Sequence, residues 1–217
     1  MPEFAAILFD LDGTLADTAP DLAFALNTLL QESNKQVIDY TIIRPFASHG
    51  SPALLKLGFG IETDHPDFPE LQQRFIQIYQ DNIARETRLF AGMEQVLNQL
   101  DLAKIPWGIV TNKPAFLTEP LLKELNLDHR AACVVSSDTT AHSKPHPEPM
   151  FYACQQINLA PEQCLYIGDA ARDIEAGKNA NMQTVLAYYG YLSADDKPDT
   201  WQSDFSINQP SDILLWI

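Results

Sequence analysis

Short apolar runs that alternate with helix-period segments predict an α/β fold for this 217-residue chain, built on a doubly wound parallel sheet covered on both faces. Three observations lead there. From Phe90 onward, apolar runs of strand length take turns with segments whose apolar residues recur at helical spacing. Before that, residues 16–88 read as helical only, so a small helical unit interrupts the sheet just after its first strand. Finally, Asp10, Thr111, Ser136 and Asp169 each close an apolar run. That puts polar groups at the C-terminal ends of expected strands, the edge where open parallel sheets bind ligands.

Taken in order, Phe4 to Phe9 is long enough for one buried strand. Pro20 suits a first helical turn, and Leu22, Leu26, Leu29 and Leu30 then share a face. Ile42 to Gly60 mixes apolar residues with Pro45, Ser48, His49, Gly50 and Pro52, and gives no clear period. Asp64 to Pro69 reads as a loop. Leu71, Phe75, Ile78 and Tyr79 mark a second long helix running to about Arg85. The expected core is therefore 1–15 with 89–217, and the helical insertion is 16–88. Met93, Val96, Leu97 and Leu100 give the next helix, and Trp107 to Val110 the next strand. Pro114 opens a helix with Leu117, Leu121, Leu122 and Leu125 inward. Ala132 to Val135, Cys164 to Ile167 and Thr184 to Ala187 complete the expected strands, separated by helices over Pro147 to Ile157 and Ile174 to Asn181.

Composition narrows the partners. With 29 acidic and 14 basic residues the net charge is −15, a surface that repels nucleic acid and anionic membranes. An anionic ligand would need locally placed cations. Cys133, Cys154 and Cys164 form no CxxC pair, which favours free thiols in a reducing compartment. No apolar run approaches the roughly 20 residues that span a bilayer. The start of the chain shows no basic region or cleavage site. The expectation is a soluble cytoplasmic protein, monomer or homodimer, acting on a small molecule.

The chain is organised around Phe9-Asp10-Leu11-Asp12-Gly13-Thr14-Leu15. Asp10 and Asp12 lie two apart, so in an extended chain both carboxylates point to one face, and Gly13 then permits a tight turn. Like charges this close in a dry site call for a cation between them. Oxygen ligands without nearby sulfur or imidazole suit magnesium rather than zinc.

These residues, with Thr111-Asn112-Lys113-Pro114, Lys144-Pro145 and Gly168-Asp169-Ala170-Ala171-Arg172-Asp173, resemble the four motifs of the haloacid dehalogenase (HAD) superfamily phosphatases, in order and each after a strand. The resemblance covers the whole chain and implies a Rossmann-like HAD core with a small helical cap. It implies Asp10 as nucleophile and Asp12 as general acid and base. Thr111 and Asn112 would hold a phosphoryl oxygen, and Lys144 would neutralise both Asp10 and the phosphate. Asp10, the Asp12 backbone carbonyl and Asp169 would hold Mg2+, with Asp173 a ligand through water or an orienting group. The insertion is similar to the caps of the phosphoglycolate phosphatase-like subgroup. A narrower set, Val110 to Pro114, Thr118-Glu119-Pro120, Lys144 to Pro149, Tyr189-Gly190-Tyr191 and Trp201, resembles the branch that acts on N-acetylmuramic acid 6-phosphate in cell-wall recycling.

Outside the motifs, Arg44 and His49 in the cap and Arg172 in the fourth motif are candidates for contact with the substrate, each weighed against an ordinary surface or structural role. Lys113 is as well read as a surface lysine. Tyr188, Tyr189 and Tyr191 read either as a sugar-pocket wall or as a packed aromatic cluster. Beside a phosphomonoesterase, two readings use the same scaffold: a phosphomutase, and a non-enzymatic phospho-acceptor signalling domain. The latter lacks a cap, and its acceptor lies elsewhere. A dehalogenase would leave Asp12 without a task.

Overall fold

Alternation along the first strand decides the architecture. In β1 (Ala6–Phe9), Ile7 and Phe9 face one apolar cluster while Ala6 and Leu8 face another, so both sides of the strand are buried. Residues 4–217 are described in this computed structural model; the first three residues of the expected core segment lie outside the described residues. The chain then passes through β2 (Ala16–Asp17), α1 (Ala19–Glu32), the single turn α2 (Tyr40–Ile43), a 3-10 stretch over Arg44–His49, α3 (Gly50–Phe59) and α4 (Phe68–Asp81). It returns through β3 (Arg88–Leu89), which pairs antiparallel with β2 as a two-stranded neck. Next come α5 (Met93–Ala103), β4 (Trp107–Val110), α6 (Ala115–Glu124), β5 (Cys133–Val135) and α7 (Glu148–Ile157). The chain ends with β6 (Cys164–Gly168), α8 (Ala171–Asn179), β7 (Gln183–Ala187), β8 (Phe205–Ile207) and a 3-10 stretch over Pro210–Trp216.

The six-stranded sheet has the order β5-β4-β1-β6-β7-β8, and every pairing is parallel. Strand order reverses at β1: the chain fills β4 and β5 on one side, then returns to lay β6 on the other. The crevice at the C-terminal end of β1 is therefore the switch point where such sheets bind ligands. One face is closed by Val96, Leu97 and Leu100 of α5 with Leu121 and Leu122 of α6 against Phe9 and Trp107. The other is closed by Met150 and Ala153 of α7 and Ala176 of α8 against Leu8 and Tyr166. Each large apolar side chain buried this way contributes about 1.5–3 kcal/mol.

The cap has its own core. Leu22, Leu26, Leu29 and Leu30 of α1 meet Phe75, Ile78 and Tyr79 of α4 and Leu54 and Leu55 of α3. Buried Asp21 accepts the N–H groups of Glu86 and Thr87 and the Thr87 hydroxyl, which fastens α1 to the returning chain beside the neck.

The structure adds several short elements to those read from sequence, the single turn α2 among them. The β2–β3 neck and the edge strand β8 are too short to show alternation. Helix α3 runs through a stretch punctuated by Gly50, Pro52 and Gly58. Gly58 is there for contact: a Cβ on it would stand 2.8 Å from Leu26 Cδ1 of α1.

Candidate active site

The turn after β1 places both motif aspartates. The Asp10 N–H donates to Ile167 O of the neighbouring β6 at 2.8 Å, so Asp10 sits beside the end of that strand. Gly13 has φ +87°, and a Cβ there would lie 2.2 Å from Asp169 Oδ2. Only glycine lets this turn pass so close to a carboxylate of the fourth motif.

Asp10, Asp169 and Asp173 are buried, and each offers a carboxylate oxygen within 4.8 Å of the others. Burial, then nearby Asp173, pushes the Asp10 carboxyl up to about 6; Lys144 and Arg172 offset only part of this. Burial, then Asp10 and Asp173, pushes Asp169 up to about 7. Asp173 goes the other way: burial alone would raise it, but Lys144 and Arg172 hold it below the usual carboxylate range. Three carboxylates face two cations, a negative excess confined to a dry site, and all the donors are hard oxygens. This set fits a divalent cation of the magnesium type. The Asp12 carboxylate pairs with Lys113 and Thr18, while its backbone carbonyl shares the Ser48 hydroxyl with Asp169, at 3.4 Å and 2.9 Å. Asp173 takes the Ala170 N–H on Oδ2 and Lys144 Nζ on Oδ1, and Asp169 Oδ2 takes the Ser48 hydroxyl and the Tyr191 N–H.

Lys144 is held from all sides. Its ammonium donates to Val110 O, Tyr166 Oη and Asp173 Oδ1 at 2.7–2.8 Å, and lies 2.9 Å from Asp10 Oδ1. The side chain of Asn112 exchanges two hydrogen bonds with the Lys144 backbone, so the second motif fixes the loop carrying the third. Thr111 is buried at the end of β4, its hydroxyl accepting the Lys113 N–H.

On the opposite side of the turn, Asp12 Oδ1 accepts from Thr18 Oγ1 and from Lys113 Nζ, the latter at 2.9 Å. The Lys113 side chain is only 7% exposed. Burial favours its neutral form, but Asp12 and Tyr79 together outweigh that and the ammonium is retained. Its Nζ lies 4.6 Å from the ring centre of Tyr79 on cap helix α4. The Tyr79 hydroxyl is buried and has no hydrogen-bond partner. These groups line a cavity of about 430 Å³ between core and cap. Asp10, Thr111 and Asn112 form its floor; Leu22, Phe75, Ile76 and Leu117 give it apolar walls; Ser51 and Gln72 join each other across it.

Of the other expected contacts, His49 lines the cavity with part of its side chain in solvent, and the partial loss of water around the imidazole, with Arg172 nearby, lowers it below the usual range. Arg172 also lines it, donating to Ser48 O at 2.7 Å and leaving its buried Nε without a partner. Arg44 does not line it. Its guanidinium donates to the backbone carbonyls of Gly190 and Tyr189 and stacks on Tyr191, a strut between cap and core. Tyr189 and Tyr191 pack on Phe90, and Tyr191 Oη bridges Asp17 Oδ1 and the Ala19 N–H. Thr18 and Tyr79 reach the site without having been singled out. Each belongs to the cap or its neck, and nothing in local spacing signals a contact made across the fold.

Comparison with known proteins gives the same picture. The family model described as haloacid dehalogenase-like hydrolase matches residues 7–187. An N-acetylmuramic acid 6-phosphate phosphatase of Pseudomonas putida is 36% identical over 96% of this chain and 93% of its own. A phosphoglycolate phosphatase of Xanthomonas campestris is 40% identical over 96% and 94%. The solved structure of a haloacid dehalogenase-like family hydrolase from Streptococcus pneumoniae superposes with a TM-score of 0.82 at 26% identity, covering 99% and 98% of the two chains.

Proposed function

The chain belongs to the haloacid dehalogenase-like hydrolases and is a phosphoric monoester hydrolase by that kinship, and from this premise we propose that it is a magnesium-dependent phosphatase of N-acetylmuramic acid 6-phosphate. The observation that carries the choice of substrate is the cavity. At about 430 Å³ it is within the range of roughly 300–1,000 Å³ typical of small-molecule sites, and its wall is part apolar, part hydroxyl and amide. A sugar carrying an acetamido and a lactyl group has both kinds of surface. Glycolate, the leaving group of 2-phosphoglycolate, has two carbons and would leave most of this space to water, at about 30 Å³ per molecule.

In this reading Asp10 attacks phosphorus in line with the ester oxygen. The bond from Asp10 to phosphorus forms as the bond to the leaving oxygen breaks. Asp12, at the cavity side of the turn, gives its proton to the leaving oxygen. It then takes a proton from the water that attacks the phosphoaspartate, and inorganic phosphate departs. Thr111 and the backbone after it hold a phosphoryl oxygen, while Lys144 keeps Asp10 aligned and offsets its charge. A magnesium ion held by Asp10, Asp169 and the Asp12 carbonyl, with Asp173 behind them, would neutralise the approach of a carboxylate to a phosphate dianion.

The name of the Xanthomonas relative favours 2-phosphoglycolate as the second reading. Phosphate release from both esters in Mg2+ separates the two. Higher kcat/KM for the sugar phosphate is expected, and a preference for 2-phosphoglycolate would replace this assignment.

A further inference from the structure

Lys113 and Tyr79 stand beside each other with more hydrogen-bonding capacity than the protein uses. Lys113 carries three N–H donors, and among the described residues Asp12 Oδ1 is the one acceptor that it bonds. The Tyr79 hydroxyl, on a residue 1% exposed, has Lys113 as its polar neighbour, and its O–H meets no acceptor. Buried donors without acceptors are rare, and in a cavity they mark where a ligand supplies the acceptor. Because Asp12 is expected to meet the leaving oxygen, Lys113 at 2.9 Å from its carboxylate is on the leaving-group side of the phosphoryl site.

We propose that Lys113 and Tyr79 form a subsite for a carboxylate on the leaving group. Such a group has two oxygens, one for the ammonium and one for the phenol, and its charge matches Lys113 when Asp12, the ammonium's partner, carries the proton it gives to the leaving oxygen. On a protein of net charge −15 an acidic leaving group needs a local cation, and Lys113 is a buried one. Both esters weighed above carry such a carboxylate, and the two residues assign it a place in the cavity. Lys113 belongs to the core and Tyr79 to α4, so the carboxylate also bridges cap and core. This inference rests on the phosphatase reading and narrows it.

The test measures kcat/KM in Mg2+ for two pairs of esters that differ in the carboxylate. One is 2-phosphoglycolate with ethyl phosphate; the other is N-acetylmuramic acid 6-phosphate with N-acetylglucosamine 6-phosphate. The wild-type protein is expected to favour the acidic member of at least one pair by about tenfold or more, and the pair that shows it tells whether the acid is short or on a sugar. Lys113→Met should level that ratio even if it slows every substrate through Asp12, and Tyr79→Phe should reduce it. Equal use of both members in both pairs overturns the subsite, as does a preference that survives in folded Lys113→Met. If that variant does not fold, Tyr79→Phe decides, since it removes one hydroxyl; an unchanged ratio there overturns the proposal. No phosphate release from any ester overturns the phosphatase reading itself, and this inference with it.

Discussion

Lys144 Nζ lies 2.7 Å from Asp173 Oδ1, with both side chains wholly out of solvent. The same ammonium is 2.9 Å from Asp10 Oδ1. One buried cation thus holds a carboxylate of the fourth motif and the expected nucleophile together. Removing it leaves two buried carboxylates facing each other with only Arg172 nearby to offset them. Lys144→Met should therefore lower stability by about 3–5 kcal/mol, as the loss of one partner of a buried ion pair does, and abolish turnover. Urea denaturation followed by circular dichroism measures the first, and phosphate release the second. A variant as stable as wild type would mean that Asp173 and Asp10 are already neutralised by something else.

Asp10→Asn keeps the shape of the side chain and its burial while removing the attacking carboxylate. The fold should survive with unchanged circular dichroism, and turnover of p-nitrophenyl phosphate should be lost. Activity near that of wild type would exclude a phosphoaspartate at this position.

EDTA should stop turnover and Mg2+ should restore it. Ca2+ should restore little, because its looser, higher coordination can draw in both oxygens of Asp10 and keep either from attacking phosphorus. Full activity in EDTA would remove the cation from the mechanism.

The raised carboxyls make metal binding depend on pH. Asp10 at about 6 and Asp169 at about 7 both lie above the usual 3.8, so the metal-free folded protein holds protons that the unfolded chain releases. Their contribution to stability is full below about pH 4 and is lost as pH rises through 6 and 7. Asp173, held low, acts in the opposite sense but below that window, losing its contribution as pH falls under the usual carboxylate range. Magnesium binds the ionised forms. Its stabilisation should be small at about pH 5 and large at about pH 7.5, read as the rise in Tm over an EDTA control. The same rise at both values would mean that these groups are not the ligands.

How much of this was legible in sequence depends on the reach of each contact. Asp10, Asp169 and Thr111 could be placed because each ends an apolar run, and parallel strands carry their C-terminal ends to one edge. Strand order follows from packing that no local pattern records, and β8 pairs through only three residues. Lys113 resembled a surface lysine because its partners, Asp12 and Tyr79, come from 101 residues away and from the cap helix α4. Arg44 showed a charge in the cap, but not the two carbonyls of Tyr189 and Gly190 that it meets on the far side of the neck.

That difference separates Arg44 from His49 as sources of selectivity. The core motifs meet only the phosphoryl group, so choice among esters must come from residues that touch the leaving group. His49 lines the cavity, beside Gly50 with φ +69° and Ser51, and offers an imidazole to a sugar hydroxyl or acetamido group. His49→Ala should therefore lower kcat/KM for N-acetylmuramic acid 6-phosphate by about tenfold, roughly 1.4 kcal/mol, and affect p-nitrophenyl phosphate much less. Arg44 ties Tyr189 and Gly190 to the 3-10 stretch that also carries Ser48, whose hydroxyl donates to Asp169 Oδ2 at 2.9 Å. Its loss should loosen cap closure and lower both substrates by a similar factor. Equal losses for His49→Ala would assign it to closure as well, and a substrate-selective loss for Arg44→Ala would place its guanidinium in the cavity during turnover.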